Sequence, residues 1–126
     1  MSLVLDAGGL LLLEKNDRQA VASVKAEYLA GRTPRSHGGI VGQVWRGGSG
    51  RQVNLARLIG SVDIEPLDEP LGRRAGVLLG KAGQKDVIDA ALVLLAEDGD
   101  EIWTSDTEDL RPLAEASSIH VDIIPV

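Results

Sequence analysis

The chain has 126 residues, 44 % of them hydrophobic and 25 % charged, and a net charge of −6. That length suits one domain with a substantial core, and that balance excludes a disordered chain. Without Cys there are no disulfides, no thiolate catalysis and no Cys-ligated zinc or iron–sulfur centre, and with no Phe, one Tyr and two Trp the core must be built from Leu, Val, Ile and Ala.

The first residues read MSLVLDAGGLLLLEKND. The apolar run is short, lacks a basic flank and is broken by Asp6, so it reads as neither a signal peptide nor a membrane span. The cytoplasm is the expected compartment. Ser2 to Leu5 is expected to be a buried strand ending at Asp6, with Ala7-Gly8-Gly9 turning into a short helix over Leu10 to Glu14. Asp17 is a good N-cap for a helix through Ala30, stopped by Gly31. Arg35-Ser36-His37 is a short second strand. A helix follows with the stretch IVGQVWRGG, in which Ile40, Val41, Val44 and Trp45 would share a buried face with Gln43 at its rim.

Gly47-Gly48-Ser49-Gly50 breaks that helix, and Gln52 to Ile59 resumes it. Val62 to Leu67 alternates apolar and acidic residues, as a half-exposed strand does. Asp68 can cap a helix with Pro70 in its first turn, running to about Lys81. Asp86 to Glu97 is a helix that is apolar on nearly every side after Asp89 and therefore central. A strand over Glu101 to Ser105, a helix over Thr107 to Ala116 and a strand over His120 to Ile124 complete the chain. Strands alternate with helices throughout. The expected fold is α/β: one domain over residues 1–126 with a mostly parallel sheet of four to five strands and helices on both faces.

Charge is unevenly distributed. Residues 31–60 hold Arg32, Arg35, Arg46, Arg51 and Arg57 with no Asp or Glu, whereas residues 61–126 hold fifteen of the nineteen acids. Either one surface is basic and another acidic, or the charges are ordinary solvated scatter.

Ligands of parallel α/β sheets bind outside the carboxyl ends of the strands. Asp6 and Asp106 both follow strands at such ends, and Asp109 lies one turn into the next helix. Asp86 and Asp89 share a helix face three residues apart. Asp89 sits among Val87, Ile88, Ala90 and Ala91, where an unpartnered carboxylate is costly. Acids gathered at one edge repel, and a divalent cation relieves them. An all-oxygen ligand set suits Mg²⁺ or Mn²⁺. Taken singly, Asp6, Asp86 and Asp106 could equally be helix caps, but Asp89 lies inside its helix. Other chemistries find no support. There is no G-x-G-x-x-G or P-loop pattern, His37 and His120 belong to no ligand motif, and Asp6 has no second acid beside it as a phosphoacceptor receiver would need.

The segments LVLDAGGLLLL, VGQVWRGG, DVIDAALVLLA and IWTSDTEDL, in this order and over nearly the full length, resemble the PIN-domain family and within it the VapC-type toxins. The resemblance implies a metal-dependent endoribonuclease in which Asp6, Asp89 and Asp106 bind Mg²⁺ or Mn²⁺ and carry catalysis. Asp109 would be an accessory and Thr104 the polar residue at the strand end. It implies metal-activated water attacking in line and leaving a 5′-phosphate and a 3′-hydroxyl, with a VapB-type antitoxin as partner and a homodimer as common assembly. Arg46 and Arg51 would then hold the RNA backbone. The chain departs from the family where a glutamate usually stands in the third-helix segment and this sequence has Gln43. The amide keeps an acceptor oxygen but removes a charge, which weakens a Mg²⁺ site unless Asp86 compensates. Two other readings remain open: a non-catalytic PIN-like module that binds RNA or protein, and an unrelated α/β domain whose acids are caps.

Overall fold

Five short strands carry the fold: β1 (Leu3–Leu5), β2 (Arg35–His37), β3 (Asp63–Glu65), β4 (Glu101–Thr104) and β5 (Asp122–Pro125). In the computed structural model, which describes residues 1–48 and 50–126, they form one parallel sheet in the order β3-β2-β1-β4-β5. The helices are α1 (Ala7–Glu14), α2 (Arg18–Leu29), α3 (Gly38–Val44), α4 (Val53–Leu58), α5 (Glu69–Ala82), α6 (Val87–Leu94) and α7 (Thr107–Ser117). Short 3₁₀ turns at Gly50–Gln52 and Ile59–Ser61 flank α4. Ser49, part of the expected glycine-rich break, lies outside the described residues.

The chain steps from β1 outward to β2 and β3, crosses back to β4, then steps outward the other way to β5. Right-handed crossovers in opposite directions place α1–α4 over one face and α5–α7 over the other. The packing agrees, since α1 touches α2, α3 and α4 while α5, α6 and α7 pack on one another. The direction reverses between β1 and β4, the switch point at which parallel α/β sheets form their ligand crevice, outside the carboxyl ends of the strands. Leu5 pairs with Trp103 in register, so Asp6 and Thr104 are neighbours at the mouth of that crevice.

The core follows the composition. Val4, Leu5, Leu10, Leu13, Ile40, Leu55, Ile102 and Leu110 are fully buried, as are Ala90, Ala91, Leu92 and Val93 of α6. The run after Asp89 is therefore central, as expected.

Strand β3 is shorter than expected at Asp63–Glu65 and β5 begins at Asp122 instead of His120, and three helix boundaries differ from the sequence reading for a clear local reason. The first helix begins at Ala7 instead of Leu10, because the Asp6 carboxylate accepts the Ala7 N–H at 2.8 Å and starts the helix at once. Gly8 permits this, since a Cβ there would stand 3.0 Å from the Ser105 backbone nitrogen. The helix carrying IVGQVW stops at Val44. Ile40 and Val44 are buried and Val41 is half-buried, but Trp45 is extended and 41 % exposed instead of sharing their face. The N–H groups of Arg46 and Gly47 go instead to the Gln52 side-chain oxygen, both at 3.0 Å, which ends the helix. Helix α6 stops at Leu94 instead of Glu97, because the buried Asp100 carboxylate accepts the Glu97 N–H at 2.9 Å.

Candidate active site

Asp6 is buried at the carboxyl end of β1. One of its carboxylate oxygens caps α1, and the other accepts the Thr104 hydroxyl at 2.6 Å. Thr104 Oγ1 in turn accepts the Asp106 N–H at 2.9 Å. A chain of hydrogen bonds thus joins the ends of β1 and β4 across the switch point. The Asp106 side chain is exposed and, although it holds the N-cap position of α7, makes no capping bond, so its carboxylate stays available to the crevice.

Asp86 caps α6, its Oδ1 accepting the N–H groups of Ile88 at 2.9 Å and Asp89 at 3.1 Å. Asp89 itself is half-buried in the first turn of that helix. Partial burial pushes its carboxyl up to about 7, and the negative charges of Asp86, Asp6, Asp109 and Asp106 push the same way. Five acids expected from three separated segments therefore feel one another at one place. Asp109 takes part from the exposed first turn of α7.

The oxygen-only donors and their mutual repulsion suit a hard divalent cation. Among the described residues, however, no group of three or more His, Asp or Glu side chains is arranged to hold an ion as it stands. Asp6 has both oxygens engaged and Asp86 is committed to its cap. Asp89, Asp106 and Asp109 are the carboxylates with least local hydrogen bonding and the ones best able to turn toward a cation.

Gln43 lies exposed on the last turn of α3 and makes no side-chain hydrogen bond among the described residues. Arg46 folds back on the same helix end, donating to the carbonyls of Gly42, Gln43 and Trp45 at 2.8–3.2 Å. The guanidinium is exposed, yet its first role is to cap orphan carbonyls. Arg51 is exposed in the turn that precedes α4. The other arginines of the segment are also engaged: Arg32 pairs with buried Glu27 at 2.7 Å, Arg35 donates to Leu95 O at 3.0 Å and Arg57 donates to Asn54 Oδ1 at 3.2 Å.

Sequence reasoning missed two buried polar side chains. His37 ends β2, is fully buried, accepts the Gly39 N–H on Nδ1 at 3.1 Å and donates from Nε2 to Ile88 O at 2.9 Å. Burial holds its pKa below the ordinary imidazole value, against the opposing effects of Ile88 O and the Asp6 charge. Gln52 is buried where α1 and α3 end. Its amide accepts from Arg46 and Gly47 N–H and donates to Glu14 Oε1 at 2.8 Å and Val44 O at 2.9 Å. A spacing signal finds neither residue.

No helix of the described residues is long and apolar enough to cross a membrane. No family model matches the sequence, and no curated protein sequence does. Among solved structures the chain is similar to a chain of VapBC2 from Rickettsia felis, whose crystal structure is bound to a DNA fragment from its promoter. The TM-score is 0.68 over 98 % of both chains, at 9 % sequence identity. This is a likeness of fold: a five-stranded parallel sheet with helices, of the PIN-like α/β kind.

Proposed function

We propose that the chain is a Mg²⁺- or Mn²⁺-dependent endoribonuclease of the VapC toxin type, restrained by an antitoxin-like partner. The observation that carries this reading is the convergence at the β1–β4 crevice. Asp6, Thr104 and Asp106 are linked by hydrogen bonds there, and Asp89 is pressed toward protonation by burial and by four neighbouring carboxylates. Such pressure is the mark of a site that lacks a compensating charge. A divalent ion held by Asp89 and Asp106, with Asp6 and Asp109 alongside, would polarise a scissile phosphate and activate water. Thr104 holds Asp6 in orientation, and the exposed guanidinium groups of Arg46 and Arg51 supply charge for the RNA backbone.

Gln43 and the lack of a closed ligand set among the described residues favour a second reading, a non-catalytic RNA- or protein-binding module of the same fold. Calorimetry with Mn²⁺, run beside an RNA cleavage assay with and without EDTA, separates the two. For the nuclease, the wild type binds Mn²⁺ and cleaves only without EDTA, and Gln43→Glu binds about tenfold tighter because one more charged oxygen is offered. A wild type that neither binds nor cleaves, with both restored in Gln43→Glu, assigns the binding module.

For the protein partner, the surface between α2 and the end of α4 is the best candidate. Tyr28 and Leu29 are 71 % and 85 % exposed there, and with Val24, Lys25, Leu58 and Ser61 they line an apolar groove of about 280 Å³. Exposed apolar patches of this kind mark protein contacts. Leu29→Asp is expected to lower affinity for a co-expressed antitoxin about tenfold or more while the melting temperature holds, since the side chain is already largely exposed. Loss of a homodimer instead assigns the groove to a second copy.

A further inference from the structure

We infer that His37 is a positioning residue of this site, tying the first turn of α6, and with it Asp89, to the carboxyl end of β2. The inference rests on the nuclease reading for its catalytic consequence, but its geometry is independent of that reading.

His37 is the last residue of β2 and the N-cap of α3. Accepting on Nδ1 and donating from Nε2 uses both ring nitrogens and fixes the neutral tautomer with its proton on Nε2. The acceptor, Ile88 O, belongs to the residue directly before Asp89. A second contact holds the same residue. A Cβ on Gly39 would stand 2.5 Å from Ile88 Cδ1, so the Ile88 side chain occupies the space that a larger residue would need. Ile88 is thus gripped from α3 through its side chain and from β2 through its carbonyl. The loop leading into α6 offers no comparable hold, because Lys85, Asp86 and Val87 are exposed. The imidazole thus adds, beside the packing of α6 on α5 and α7, a direct tie across the sheet that holds Asp89 relative to Asp6. Groups that orient a metal-binding side chain in this way are worth about 10- to 100-fold in affinity.

Two variants separate the tether from a plain core or capping role. His37→Asn keeps an acceptor for the Gly39 N–H but does not reach Ile88 O. His37→Gln places an amide N–H where Nε2 donates. In the full chain without metal, amide hydrogen exchange at Ile88, Asp89 and Ala90 is expected to rise about tenfold in His37→Asn and to return toward wild type in His37→Gln. Mn²⁺ affinity and kcat for RNA fall about tenfold or more in His37→Asn, with KM unchanged, and recover in His37→Gln. Equal losses of stability in both variants, with wild-type exchange in α6, overturn the inference. A wild type that binds no Mn²⁺ and cleaves no RNA, but shows the exchange pattern, overturns the nuclease reading and supports the tether.

Discussion

Asp89→Asn is expected to melt above the wild type at pH 8 while losing RNA cleavage by about a hundredfold or more. The sign follows from linkage. The folded state holds the Asp89 proton up to about pH 7, whereas the unfolded chain releases it near the ordinary carboxyl value. Between those values the folded state binds more protons than the unfolded state. Stability therefore falls as pH rises through that window, and the penalty is complete above it. Asparagine removes the penalty and keeps the shape. Because the group is only half-buried, solvent screens part of the effect. The gain is about 1–3 kcal/mol, or about 3–10 °C, at pH 8, vanishing below about pH 4. Melting curves at pH 4 and pH 8 check the first half, and an EDTA-controlled cleavage assay checks the second. If the carboxylate instead contributed a stabilising bond, the variant would melt lower at pH 8, and the electrostatic account would be wrong. Added Mn²⁺ is expected to narrow the gap by stabilising the wild type alone.

Gln52→Leu has the largest expected cost to the fold, about 2–4 kcal/mol by urea denaturation. Leucine nearly fills the space, but it strands the N–H groups of Arg46 and Gly47, the Val44 carbonyl and the Glu14 carboxylate together. Gln52→Glu is a sharper test. It can still accept both N–H groups, yet it turns the Glu14 contact into a meeting of like charges. Its deficit is expected to shrink in acid as one carboxylate protonates, whereas the deficit of Gln52→Leu is not. Parallel pH dependence in the two variants would argue against Glu14 as the decisive partner.

The order of strands and helices was legible in the sequence because turn residues and periodicity marked each element locally. Asp17, Asp68 and Asp86 cap the helices they were expected to cap. Asp6 and Asp106 stand at strand ends for the same local reason. The fate of Trp45 was not legible. Its exposure depends on Gln52 reaching back to pull Arg46 and Gly47 out of helical geometry, and the helical period carries no trace of that bond. His37 was similarly opaque, since its partner Ile88 is 51 residues away. Gln43 kept its ambiguity for a different reason: an exposed amide with no side-chain hydrogen bond among the described residues is defined by what binds near it.

The pairing of β1 with β4 also governs when the crevice can exist. Asp6 and its partner Thr104 lie 98 residues apart, so β4 is synthesised well after β1. Closing so long a loop costs entropy and takes time. At about 5–20 residues per second, about 5 to 20 seconds separate the synthesis of the two residues. The fold thus acts as a timer. Whatever chemistry the crevice performs is withheld from a nascent chain until β4 has emerged and paired with β1.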